Sequence, residues 1–246
     1  MLTRDVAEGV HRVEDAHTNW YLVEEDGALA IVDTGFPRSW GSLDRALRAL
    51  GRSHADVEAI VLTHAHFDHM GFARRAAVEL EVPVWAHERE LPVVRHPWRY
   101  DHERSRLRYA KHVRFLAIFA EMGAMGALWV KGLDGARAYV AGATLPVPGR
   151  PTVVFTPGHT YGHSALHFAD RGALIAGDAV VMLDPYTGRR GPQIVSGAAT
   201  ADSAEALRSL DAVAETGAAT VLTGHGPPWT EGAEAIAARA REAGAS

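Results

Sequence analysis

Four short apolar runs set the strongest constraint on this chain, because each ends on a residue able to bind a metal ion. AIVLT at 59–63 runs into His64, TVVFTPG at 152–158 into His159, GALIAG at 172–177 into Asp178, and ATVLTG at 219–224 into His225. Runs of this length, nearly uncharged and bounded by Gly, Pro or Thr, predict buried strands. Buried strands are stiff, and their ends can meet along one edge of a sheet. Groups placed there are held by a rigid scaffold while staying open to solvent. A single shared site is the economical interpretation.

The first run opens the densest cluster. LTHAHFDHMGFARRA at 62–76 holds His64, His66, Asp68 and His69 within six residues. His64 and His66 lie two apart, so in an extended segment they project to the same side and can bind one cation. Asp68 continues that alternation and His69 breaks it. A turn into a helix at Met70 would let Asp68 and His69 face a second cation. At this chain's own His and Asp frequencies, the pattern H-x-H-x-D-H would arise by chance in roughly two or three such sequences per thousand. Taken singly, Asp178 reads as a helix cap and His225 as a turn residue; their coincidence with the loop and with His159 favours ligation. The chain has 14 histidines and no cysteine. Disulfides and thiolate sites are therefore excluded, and imidazole with carboxylate suits Zn²⁺, with Fe²⁺ or Mn²⁺ also accommodated.

The 246 residues suit a single domain with a real core. The net charge of −5 gives no general pull toward nucleic acid or anionic lipid, so a small-molecule substrate is expected, without nucleic-acid or membrane partners. The N-terminus lacks the apolar stretch of a signal peptide, and no run reaches the ~18 apolar residues of a membrane span; a cytoplasmic protein is expected. The sequence leaves the oligomeric state open.

Along the chain, GVHRV, NWYLVEE, ALAIVDTG, VPVWAH, SALHFAD and the four runs above predict strands. Helices are predicted from Pro37 to Gly51, over GFARRAAVEL, over ADSAEALRSLDAVAETG and over EGAEAIAARAREAG. Strands and helices alternate, which gives the α/β class. Residues 88–133 differ in texture and predict a helical insertion, a candidate lid. Arg95, Arg99, Arg104, Arg106, Arg108, Lys111 and Arg114 crowd its first part, a solvated face or a site for an anionic substrate tail. Phe115, Ile118, Phe119, Met122 and Met125 line one helical face, either plain core or a pocket wall. LDPYTGRRGPQIVSGAAT at 183–200 reads as a Gly- and Pro-rich loop.

The motifs THAHFDHMG (63–71), TPGHTYGHS (156–164), AGDA (176–179), TGHGPP (223–228) and AIVDTG (30–35) occur in an order that resembles the metallo-β-lactamase-fold hydrolases, and the likeness spans about 30–228. The resemblance implies an αβ/βα four-layer sandwich. It implies that His64, His66 and His159 bind one metal, that Asp68, His69 and His225 bind a second, and that Asp178 bridges the two zinc ions. Asp33 would orient a ligand from behind. Three departures narrow the branch. β-Lactamases of this fold usually lack the bridging Asp, and their commonest class uses a Cys ligand, so antibiotic hydrolysis is not expected. Acyl-homoserine lactonases carry a Tyr soon after the bridging Asp, where this chain has Val181. Glyoxalase II enzymes add a C-terminal helical domain, whereas about twenty residues follow His225 here.

The implied activity is metal-dependent hydrolysis of a small ester, thioester or lactone by hydroxide held between the metals, with Asp68 directing that hydroxide and passing a proton to the leaving group. Tyr161 and Tyr186, together with Arg189 and Arg190, are candidates for the pocket mouth. The alternatives are a single-iron persulfide dioxygenase-like enzyme, disfavoured because Asp68, His69 and His225 are all present, and a phosphodiesterase or nuclease of the same fold, disfavoured by the acidic charge.

Overall fold

The computed structural model describes residues 1–109 and 113–246; Lys111 lies outside them. Its first half is built from β1 (Leu2–Ala7), β2 (Val10–Asp15), β3 (Thr18–Glu25), β4 (Ala28–Val32), α1 (Trp40–Leu50), β5 (Val57–Val61), α2 (Ala73–Glu79), β6 (Val84–His87), α3 (Leu91–Arg95), α4 (Val113–Ala124) and β7 (Arg137–Tyr139). β8 (Thr152–Phe155), β9 (Ser164–Phe168), β10 (Ala173–Gly177), β11 (Val181–Leu183), β12 (Arg190–Gln193), α5 (Ser203–Glu215), β13 (Thr220–Thr223) and α6 (Ala233–Ala243) follow. One sheet runs β1-β2-β3-β4-β5-β6-β7 and the other β13-β10-β9-β8, with β11 and β12 forming a separate ribbon. The first sheet is antiparallel from β1 to β4 and parallel from β4 to β7.

Local chemistry fixes the joints. Glu25 pairs with Ala28 across Asp26-Gly27, and both linking residues have positive φ (49° and 89°), the primed turn that matches strand twist. α1 stops at Gly51, which takes a left-handed cap conformation. α5 starts where the Asp202 carboxylate accepts the Glu205 N–H at 2.8 Å.

Strand periodicity sorts the core into layers. Tyr21, Val23, Ala30, Val32, Ala59 and Val61 from the first sheet meet Val153, Leu166, Phe168, Ala173, Ile175 and Leu222 from the second. The alternate residues Trp20, Leu22, Leu29, Ile31 and Ile60 pack outward with Leu43 and Leu47 of α1 and with Ala73 and Ala76 of α2. Leu174, Ala176 and Val221 pack with Leu210 of α5 and Ile236 of α6. The order helix, sheet, sheet, helix is the predicted αβ/βα sandwich.

Some expectations need correction. β1 is half polar and partly exposed, and β7 is only three residues long; neither carries enough apolar pattern to be read as a strand. The 183–200 segment is not all loop, since β12 returns along β11. The 88–133 insertion is helical only in parts: α3, a 3₁₀ turn at Arg106–Tyr109, α4 and a further turn at Ala127–Trp129. No helix among the described residues is long and apolar enough to cross a membrane.

Candidate metal centre

The C-terminal ends of five strands converge. Asp33 follows β4, His64 follows β5, His159 follows β8, Asp178 follows β10 and His225 follows β13. His64, His66 and His159 bring one potential ligand atom each within 4.8 Å of one another, and so do Asp68, His69 and His225. Asp178 lies between the two groups. Its Oδ2 is 3.4 Å from His159 Nε2, 3.2 Å from His225 Nε2 and 4.0 Å from His64 Nε2, and its Oδ1 is 3.6 Å from His69 Nε2. All seven side chains are buried.

The scaffold sets the tautomers. The Thr63 hydroxyl donates its one proton to Asp33 Oδ2 (2.8 Å), so at 3.1 Å from His64 it accepts from Nδ1–H. The same carboxylate accepts His69 Nδ1–H at 3.1 Å. His225 Nδ1–H donates to the His17 carbonyl at 2.8 Å. The Thr200 hydroxyl donates to the Val195 carbonyl at 2.7 Å and so accepts from His159 Nδ1 at 3.3 Å. Four imidazoles are thus tied through Nδ1, leaving Nε2 as the lone-pair atom. His66 differs, its Nδ1 lying 2.9 Å from His159 Nε2.

These atoms fit a metal pair. The Nε2 atoms of His64, His66 and His69 and Oδ1 of Asp178 are buried without hydrogen-bond partners, a combination folded proteins avoid unless something else satisfies the groups. Burial and the neighbouring imidazoles hold His64 well below its ordinary value, and burial, only partly offset by Asp178, brings His159 to about 4. Burial would also lower His69, but Asp178, Asp68 and Asp33 outweigh it and raise His69 to about 10. Burial would raise Asp178, yet His225, His69 and His159 hold it well below the usual carboxylate range. A pocket whose carboxylates grip a proton that firmly attracts dications more strongly still.

Asp33 braces the ligand loop from behind, and it also brings a carboxylate oxygen within 4.8 Å of ligand atoms of His64 and His69. Besides His69 it accepts the Thr63 N–H at 2.8 Å, and it holds a left-handed backbone (φ 58°) that only dense local bonding sustains. Asp68 Oδ2 is met by the Thr18 hydroxyl at 3.4 Å.

Three further residues were not foreseen. Glu90 is buried at the head of the insertion; its carboxylate accepts Ala65 N–H (3.1 Å), Gly162 N–H (3.1 Å) and the Thr160 hydroxyl (2.9 Å), stitching the two ligand loops together. His163 Nε2 accepts the Asp178 N–H at 3.0 Å. It approaches there because Gly177 has no side chain; a Cβ would lie 2.9 Å from that nitrogen and 2.7 Å from Thr63 Oγ1. Its one sequence signal is a second His in TPGHTYGHS. Tyr100 brings its ring 3.9 Å from that of His66, and burial pushes its phenol up to about 12, so the hydroxyl keeps its proton.

Above the ligands lies a tight cavity of about 10 Å³, room for about one water, lined besides the metal residues by Phe67, Tyr100, Phe119, Met122, Tyr186 and Val195. Tyr186 is part of the wall. Tyr161 does not line the cavity; at 51% exposure it faces solvent, although it stands two residues from His159. The stripe on α4 serves both expected roles: Ile118 and Met122 join the core, while Phe119 and Met122 also face the cavity. Among the described residues no Arg or Lys lines it. Arg106 sits 5.0 Å over the Tyr100 ring and Arg114 donates to the Gly188 carbonyl at 3.1 Å. Arg189 and Arg190 are exposed.

Known proteins share this arrangement. The profile described as the metallo-beta-lactamase superfamily matches residues 13–225. The probable metallo-hydrolase YflN of Bacillus subtilis strain 168 is 28% identical over 237 residues, which cover 92% of this chain and 87% of that protein. The N-acyl homoserine lactonase AttM of Rhizobium radiobacter is 28% identical over 239 residues, 85% of this chain and 81% of that one. Among solved structures, the metallo-beta-lactamase family protein TTHA1429 from Thermus thermophilus superposes with a TM-score of 0.68 at 28% identity, covering 96% of this chain and 80% of that one. TTHA1623 in a di-iron-bound form gives 0.65 at 26% identity, with 91% and 95% covered. With a profile match over most of its length and a candidate dinuclear site of the kind metallo-hydrolases use, the chain belongs to the metallo-β-lactamase superfamily.

Proposed function

We propose that the protein is a dinuclear zinc hydrolase of a small carboxylic ester, thioester or lactone, with residues 88–133 acting as a lid. The observation that carries this reading is the pair of ligand groups meeting at Asp178 beneath a cavity with a largely apolar wall, to which no described Arg or Lys contributes. His64, His66 and His159 would hold one cation, Asp68, His69 and His225 the other, and Asp178 both. When bound, such a pair supplies Lewis acidity and a water whose pKa falls to about 7. The chain does the rest. Asp33, Thr63, Thr200 and the His17 carbonyl keep ligand nitrogens aimed. Asp68, on the cavity floor, takes the proton of the attacking water and returns it to the leaving group. The aromatic wall excludes bulk water from the acyl group. Phosphodiesters fit poorly, since their charge would meet no cationic side chain among the described residues of the wall.

Iron is the competing metal, because the related TTHA1623 is described in a di-iron-bound form. Metal analysis of the protein as purified, with a panel of ester, thioester, lactone and bis(p-nitrophenyl) phosphate substrates, tests the proposal. Two zinc ions per chain with ester or lactone turnover is the expected result. A single iron with oxygen-dependent turnover, or phosphodiesterase activity alone, would overturn it. In the active enzyme Asp68→Asn lowers kcat by about 100-fold or more; full turnover with both metals retained would remove Asp68 from the mechanism.

A further inference from the structure

The cavity wall holds one polar group that neither the fold nor the ligand set uses. The Tyr100 hydroxyl is buried; the Tyr186 hydroxyl lies beside it, but the two do not meet in good hydrogen-bond geometry. The ring carrying it is firmly placed, 3.9 Å from the His66 ring and 5.0 Å beneath the Arg106 guanidinium. Beside it Trp98 stacks on Phe67 at 4.8 Å and 6° between planes, so two ring pairs fasten this stretch of the insertion to the ligand loop. Glu103 secures the far side: its N–H donates to the Thr200 carbonyl at 2.9 Å and its carboxylate accepts from Ser203 N–H at 2.8 Å. A buried O–H left without an acceptor is destabilising, and phenylalanine would fill the same space without that penalty. A hydroxyl held this rigidly at a cavity wall suits an acceptor that arrives with the ligand.

We infer that Tyr100 donates its O–H to the carbonyl oxygen of the substrate, and that the acyl group seated beside it is short, uncharged and apolar. The substrate class follows from the wall of Phe67, Phe119, Met122 and Val195, and the tightness of the cavity, about 10 Å³, restricts it to a short acyl group admitted as the insertion opens. This rests on the hydrolytic reading. In that reaction the water oxygen bonds to the acyl carbon, the C–O or C–S bond breaks, and the leaving group departs with a proton. Tyr100 keeps its own proton throughout, and its hydrogen bond strengthens as charge builds on the carbonyl oxygen. The insertion thereby contributes to the chemistry as well as to closure.

Tyr100→Phe is the test, because it keeps the ring on His66 and Arg106 and removes one oxygen. Three readouts on the metal-loaded full chain separate the possibilities: metal content, kcat and KM on p-nitrophenyl butyrate and a γ-lactone, and calorimetric affinity for butyrate and benzoate, members of the product class. The expected variant holds the wild-type metal content. It loses about 10-fold or more in kcat/KM, mostly in kcat, and binds butyrate about threefold or more weakly. Values within twofold of wild type throughout would overturn the assignment, and so would metal loss, which would make Tyr100 a packing partner of His66. If the wild-type enzyme hydrolyses nothing in the panel, the hydrolytic reading fails and carboxylate binding alone decides the role of Tyr100. A wild type that binds neither acid overturns it as well.

Discussion

The ligand loop at 63–69 and the insertion segment at 96–109 meet face to face over the cavity, yet they are held in opposite ways. Three ligands of the loop are each braced by a specific polar partner: the Thr63 hydroxyl for His64, the Thr18 hydroxyl for Asp68 and Asp33 for His69. The insertion segment contains no α-helix or strand between α3 and its 3₁₀ turn. It is held by ring contacts and a few bonds to neighbouring loops. The metal ligands are placed on the braced side, and substrate contact, Tyr100 included, on a side that is well seated when closed but has few enough attachments to open. Each side should therefore answer differently to a small perturbation.

Glycine substitutions expose the contrast most sharply. A Cβ on Gly224 would overlap Asp178 Oδ1 and come within 2.8 Å of His69 Cε1, whereas one on Gly123 in α4 meets nothing within 4 Å. Gly224→Ala should displace Asp178 and abolish stoichiometric metal binding, with kcat/KM down about 1,000-fold or more. Gly123→Ala should keep its metal and stabilise the helix by about 0.5–1 kcal/mol. Metal analysis and thermal unfolding of the two variants check this. Equal metal content in both would mean that the braced side is softer than its contacts indicate.

Glu90 joins the two regions and should show itself through pH. Burial, working against three hydrogen bonds, pushes its carboxyl from an ordinary 4.5 to about 7. The folded state therefore binds this proton more tightly than the unfolded state does. Its stabilisation is complete below about pH 4.5 and is lost as pH rises through 7. Near pH 8 the loss reaches about 3 kcal/mol. Glu90→Gln cannot ionise and should escape that loss. Urea unfolding of both proteins from pH 4.5 to 8, under matched metal conditions, should show the stability gap shifting in favour of Gln as pH rises. A gap that stays constant would mean Glu90 ionises normally in the folded protein.

How legible each side is in the sequence follows from how it is built. The ligands could be read because each is a polar residue ending an apolar run, or lies at fixed spacing within one loop; strand periodicity carries that information locally. The sandwich was legible for the same reason, as the alternation of Trp20 and Leu22 with Tyr21 and Val23 shows. What stayed hidden depends on contacts between distant segments. Glu90 bonds to residues 25, 70 and 72 positions away. The partner of His225 is a backbone carbonyl, which no side-chain pattern encodes. Tyr161 looked like a pocket residue because it neighbours His159 in sequence, but its side chain faces solvent. Tyr100, whose surroundings offer no motif, is the one against His66.

The smallest expected effect probes the movable side directly. Trp98 is 40% exposed and stacks on Phe67, with no bond to any metal ligand. A stacked aromatic pair contributes about 0.5–1.5 kcal/mol beyond simple burial, which corresponds to roughly a 2- to 12-fold change in an equilibrium. If the insertion closes over substrate, Trp98→Ala weakens the closed state by that amount. KM for short acyl esters should then rise about 2- to 12-fold, while metal content stays at the wild-type level and longer acyl chains become comparatively better substrates. Steady-state kinetics over a C2–C8 ester series measures both quantities. A variant with unaltered KM and unaltered chain-length preference would show that 96–109 is a fixed wall, as rigid in function as the loop it covers.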